Sequence, residues 1–165
     1  MTRIVVGVDG SHHSQRALRR AIEEAALRNG RVDAVYVYSQ PRRGFSDDLA
    51  SVPFGGVAGT EGIATEDRTH HELSRAEEAF TQAHRQLEQF VEAGAADVDG
   101  PRPELFPVAA AHPAEALIDQ SETADLLVIG TRGRGGFRGA LLGSVAHQCI
   151  QHSKCPVLVL PPDAD

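Results

Sequence analysis

Ile4 to Val8 reads I-V-V-G-V, with no charged or hydroxyl side chain in the run. A strand with one face in water alternates apolar and polar residues. An unbroken apolar run is typical of a parallel strand buried on both faces. Such a strand needs helices above and below it, which points to a layered α/β architecture.

The remaining segments fit that frame. Asp9-Gly10-Ser11 is a turn and helix-start signal, and Ala17, Leu18, Ala21, Ile22 and Ala25 then recur at helical spacing up to Asn29-Gly30. Val32–Tyr38 reads as a second strand, which makes a βαβ unit with a right-handed crossover. A long helix is expected from about Glu66 to Ala93 and stopped by Gly94; its stripe Leu73, Ala76, Phe80, Ala83, Leu87, Phe90 is expected to face the core. Leu105–Ala110 is a third strand, Pro113 opens a short helix, Leu126–Ile129 is a fourth strand, Ser144–His152 a last helix and Pro156–Leu160 a fifth strand. The alternation predicts a doubly wound, five-stranded parallel open sheet with helices on both faces, forming one domain over residues 1–165. Between Pro41 and about Thr65 the chain is rich in Gly, Ser, Pro and Asp without a period. That stretch is expected to be a mobile surface loop, disordered or acting as a lid.

Composition excludes several classes. With 165 residues and a formal charge of −7, the chain suits one core and lacks the basic face of a nucleic-acid binder. No apolar run nears the roughly 20 residues of a membrane span. A strand-like run begins at once, without a signal-peptide pattern, which leads us to expect a cytoplasmic protein. Cys149 and Cys155 are then expected to be reduced, and no Cys-x-x-Cys is present. Lys154 is the only lysine, so a Walker A phosphate loop is excluded. The eight histidines have no convincing metal-ligand spacing.

The segment from Gly130 to Ser144 holds six glycines in fifteen positions and runs from the end of a strand to the start of a helix. Glycine lets backbone amides approach an anion, and a helix N-terminus adds unpaired N–H groups and a favourable dipole. Ser144 adds a hydroxyl. This describes a phosphate cradle at the carboxyl end of a parallel strand, where open α/β sheets place ligands. It is not the Rossmann fingerprint, because after Gly133 and Gly135 the third position falls on Arg138. The spacing that fits is G-x2-G-x9-G-S: Gly130, Gly133, Gly143 and Ser144.

That spacing resembles the nucleotide-binding signature of ATP-binding universal stress proteins. The resemblance extends to Ile4–Ser11 (IVVGVDGS), His112-Pro113, Ala124–Gly130 (ADLLVIG), Leu142–Val145 (LLGSV) and Cys155–Leu160 (CPVLVL). It implies a Rossmann-like fold of the adenine nucleotide alpha hydrolase-like kind and a role in stress response or sensing. By the same resemblance Asp9 takes the ribose or adenine side, Gly7 and Val8 line the floor, and Val37 contacts adenine. Gly130, Gly133, Gly143, Ser144 and Val145 hold the phosphates. Arg132, with Arg134 and Arg138, is either a mobile phosphate partner or a solvated charge. Ala111 stands where the family often has glycine, and its methyl group would crowd a nucleotide.

The implied ligand is ATP, with Mg²⁺ arriving on the triphosphate. The competing readings are a slow ATP hydrolase, for which only His12 or His13 offers a base, a binder of another adenine ligand such as cyclic AMP, and a structural dimer without a ligand. Asp9 also has a purely structural reading, as a helix cap. The family's strand order implies that the last strand lies at a sheet edge. Its apolar P-V-L-V-L sequence then leads us to expect a homodimer across that edge.

Overall fold

The computed structural model of the chain describes residues 1–39, 63–133 and 141–161. Among the described residues five strands and four helices alternate: β1 (Arg3–Val8), α1 (His12–Leu27), β2 (Arg31–Tyr38), α2 (Ile63–Ala95), β3 (Glu104–Ala109), α3 (Pro113–Ser121), β4 (Leu126–Gly130), α4 (Ser144–His152) and β5 (Val157–Leu160). The strands form one parallel sheet in the order β3-β2-β1-β4-β5. The chain therefore builds outward from β1 in one direction, then turns back to lay β4 and β5 on its other side. The crevice between β1 and β4 at their carboxyl ends is where such sheets bind ligands.

Alternate residues of the central strands feed two apolar layers. Ile4, Val6 and Val8 pack with Leu18, Ala21 and Ile22 of α1 and Leu87 and Val91 of α2. Val5, Val35, Leu127 and Ile129 pack with Leu117 of α3 and Ala146 and Cys149 of α4. This two-sided burial is why β1 is apolar throughout. Cys149 and Cys155 are free thiols. Burial pushes the Cys149 thiol up to about 11.

The long helix differs from its sequence pattern in three ways. It starts at Ile63, so residues 63–65 of the expected loop are helical, and the rest of that loop lies outside the described residues. It runs to Ala95, through Gly94. A Cβ on Gly94 would stand 2.9 Å from Leu18 Cδ2, so this glycine permits close approach to α1 rather than ending the helix. Finally, Ala83 and Leu87 are buried, but Leu73 and Phe80 are 58% and 48% exposed. A helix of 33 residues is about 50 Å long. It outruns strands of at most 8 residues, which span about 27 Å.

The amino ends of the strands are tied by one side chain. Arg3 Nε lies 2.6 Å from Asp33 Oδ2, and its two Nη atoms donate to the Gln120 carbonyl (3.1 Å), Thr123 Oγ1 (2.6 Å) and Gln120 Oε1 (2.7 Å). The backbone N–H of Arg3 donates to Asp125 Oδ2 at 2.8 Å. Asp33 is fully buried in β2, and this network compensates its charge.

Candidate functional site

A cavity of about 600 Å³ opens at the carboxyl ends of β1, β2 and β4. That is ample for a small-molecule ligand. Gly7, Val8, Asp9, Val37, Gly130, Arg132, Gly133, Gly143, Ser144 and Val145, expected from the sequence to lie together, all line it. Arg134 and Arg138 lie outside the described residues. Ala111 is exposed and is not among the described residues that line the cavity. His12 lines a separate hollow with Arg16 and Arg19 on the outer side of α1. His13 packs under Gly130, where a Cβ would stand 2.9 Å from its own. Neither histidine reaches the wall as a base.

The turn after β1 is self-contained. Gly10 has φ +79, a conformation that favours glycine. Ser11 is the N-cap of α1, its side chain accepting from the Ser14 N–H at 3.2 Å. Asp9 Oδ1 accepts from the Ser11 N–H at 3.0 Å, an Asx-turn contact. The cap therefore belongs to Ser11, and Asp9 braces the turn. Its other oxygen, Oδ2, would lie 2.5 Å from a Cβ on Gly133, so the carboxylate stands directly against the glycine loop.

The glycines of the wall have different reasons. A Cβ on Gly7 would meet Leu117 Cδ1 at 2.8 Å, so Gly7 lets α3 seat on the sheet. Gly130 and Gly133 are held by His13 and Asp9 as above. Gly143 is different. Its φ of −76 and ψ of 165 suit any residue, and a Cβ would find its nearest neighbour, Thr131 O, at an ordinary 3.4 Å. Gly143 is also the N-cap of α4 and provides no side-chain cap. The first bond into the helix is His147 N–H to Gly143 O at 3.0 Å. The amides of Ser144, Val145 and Ala146 thus have no partner within the helix, and all three residues line the cavity.

Two further polar groups on this wall are unsatisfied. Thr131 Oγ1 and Arg132 Nε are buried without a hydrogen-bond partner. Thr131 was not singled out from the sequence, and neither were Ser14, Val35, Leu117 and Ile129, which complete much of the wall. The apolar residues were visible as core but not as lining. Asp9 and Arg132 are the only ionisable side chains among the described lining residues. No three His, Cys, Asp or Glu side chains gather as a metal site among the described residues.

The fold and the site together define a doubly wound, Rossmann-like α/β protein in which an uncapped helix end and Gly130, Gly133 and Gly143 line a cavity. Residues 1–161 match the Universal stress protein family, and the chain belongs to it. A universal stress protein of Mycobacterium tuberculosis is 30% identical over 156 residues, covering 94% of this chain and 44% of that protein. The chain thus spans about half the length of the curated relatives it matches. Among solved structures, the universal stress protein from Archaeoglobus fulgidus in complex with dAMP is 25% identical, with TM-score 0.54 and coverage of 96% and 97% of the two chains. A universal stress protein in complex with cAMP is 26% identical, with TM-score 0.53 and coverage of 96% and 95%.

Proposed function

We propose that this chain is a binding module for ATP or a related adenine nucleotide, acting in cytoplasmic stress response or sensing. The observation that carries this reading is Gly143. Nothing in the backbone or in the packing of the described residues requires glycine there, and a serine or aspartate would cap α4 better. An uncapped end whose first three amides have no partner within the helix suits a ligand that brings its own anion. In this reading Val35 and Val37 offer an apolar face to the base, and Asp9 accepts hydrogen bonds from ribose or base. The α4 amides and the Ser144 hydroxyl hold phosphate oxygens, with Arg132 as counter-charge. Mg²⁺ would be carried mainly by phosphate oxygens, since Asp9 is the only carboxylate among the described wall residues.

The relatives bound to dAMP and cAMP support a second reading, in which a single-phosphate nucleotide is the physiological ligand. Hydrolysis is disfavoured, because Asp9 is the only carboxylate among the described wall residues and in this reading its two oxygens serve the Ser11 N–H and the ribose or base. Calorimetry on nucleotide-free protein with ATP, AMP and cyclic AMP tests these readings. Saturable heat with ATP is expected; no heat from any of the three at millimolar concentration would sink the proposal. We also propose a homodimer across β5, which among the described residues has β4 as its only neighbour in the sheet. Its V-L-V-L sequence carries no charge to blunt the edge. Light scattering that finds a monomer at tens of micromolar, with and without ATP, removes that part.

A further inference from the structure

We infer that Thr131 is a specificity-determining residue whose hydroxyl makes the cavity select a nucleotide over the corresponding nucleoside. This inference rests on the adenine-nucleotide reading above. Thr131 is 8% exposed and forms part of the cavity wall. Its backbone is fully committed: the N–H donates to Leu160 O at 2.9 Å, and the carbonyl accepts from the Gly143 N–H at 2.7 Å. The residue is pinned between the end of β5 and the start of α4, so its side chain cannot find a partner by a shift of the chain. Four buried side-chain polar atoms among the described residues lack a hydrogen-bond partner, and two of them, Thr131 Oγ1 and Arg132 Nε, are on consecutive residues of this wall.

The chemistry of the pair names the missing partner. An arginine Nε can only donate, and a hydroxyl has one proton to donate. Two unpaired donors on consecutive residues of one cavity wall, which the start of α4 also lines, call for an acceptor with several lone pairs and negative charge. A phosphate oxyanion fits; a neutral nucleoside has nothing comparable to offer. Thr131 Oγ1 is closed to water in the free protein. Pairing therefore requires one staggered step about χ1, which exchanges the positions of the substituents on Cβ.

The test is Thr131→Val, which keeps the shape and removes the donor. Loss of a charge-assisted hydrogen bond should weaken AMP about ten-fold or more by calorimetry, with adenosine unchanged. Without ligand, the variant should melt at the wild-type temperature or higher, because an unpaired buried hydroxyl has been removed. Thr131→Ser should restore AMP binding. If Thr131→Val does not fold, Thr131→Ala should show the same selective loss. Unchanged AMP affinity in the valine variant overturns the inference. Equal losses for AMP and adenosine, or a lower melting temperature without ligand, overturn it as well, since each marks a merely structural residue. A wild type that binds none of ATP, AMP and cyclic AMP overturns the nucleotide reading itself, and this inference with it.

Discussion

At the amino ends of the strands, every donor group of the Arg3 side chain has an acceptor, and the fully buried Asp33 has Arg3 at 2.6 Å and Arg31 at 3.6 Å. At the carboxyl ends, α4 begins without a cap, and Thr131 Oγ1 and Arg132 Nε have no partner. Both ends are cut from the same parallel sheet. A buried polar group left unpaired is unfavourable by roughly 1–3 kcal/mol. At the amino end Asp33 Oδ1 also lacks a hydrogen bond but keeps Arg31 Nε at 3.6 Å as an ion-pair partner, whereas Thr131 Oγ1 and Arg132 Nε at the carboxyl end are left without a hydrogen bond on one wall of the cavity. The difference assigns the amino end to holding the fold and the carboxyl end to receiving something from outside.

The sharpest way to break this comparison is Arg3→Met. It leaves Asp33 buried without its principal charge partner, and such half-broken pairs typically lose about 3–5 kcal/mol. Urea denaturation should show a loss of that size, while the folded fraction binds AMP as before. Adding Asp33→Leu should recover most of the stability. A loss under 1 kcal/mol, or AMP binding that weakens in the folded fraction, would mean that the two ends are not divided in this way.

A smaller effect separates neighbours at the carboxyl end. Ser11→Ala removes the α1 cap and should lower stability by about 1 kcal/mol with AMP affinity intact. Asp9→Ala removes the brace at the Ser11 N–H, a comparable loss, but should also weaken ATP and AMP by a similar factor. Melts and titrations on both variants decide it. If Asp9→Ala binds normally, Asp9 serves only the turn.

Much of this was legible in the chain. The unbroken I-V-V-G-V run marks β1 as a parallel strand buried on both faces, and the spacing of Gly130, Gly133, Gly143 and Ser144 names residues that line one cavity. Other parts were not. Periodicity tells which face of α2 is apolar but not where the sheet beneath it ends, so Leu73 and Phe80 read as core and stand exposed. Glycines look alike in sequence; only packing separates Gly94 and Gly130, which make room for a neighbour, from Gly143, which does not. Thr131 carried no signal at all, because the absence of a partner for a hydroxyl is a property of three dimensions. One signal was present and unread. Asp33 interrupts an apolar strand, V-D-A-V, and a carboxylate there demands a cation nearby.

The smallest effect on stability should come from Gly143→Ser, and it bears most directly on the comparison. Serine suits the observed φ of −76 and ψ of 165, and its Cβ would find Thr131 O at 3.4 Å, so the fold accepts it. Its hydroxyl can accept from the open amides at the start of α4. Replacing glycine by a better N-cap is worth only a few tenths of a kcal/mol, so the melting temperature should rise slightly. The same hydroxyl would occupy the amides that a phosphate needs. Losing one or two charge-assisted contacts should weaken AMP by about ten-fold or more. Stability and affinity should therefore move in opposite directions within one variant. If both rise or both fall in paired melts and calorimetry, the uncapped end of α4 is not kept open for an anion.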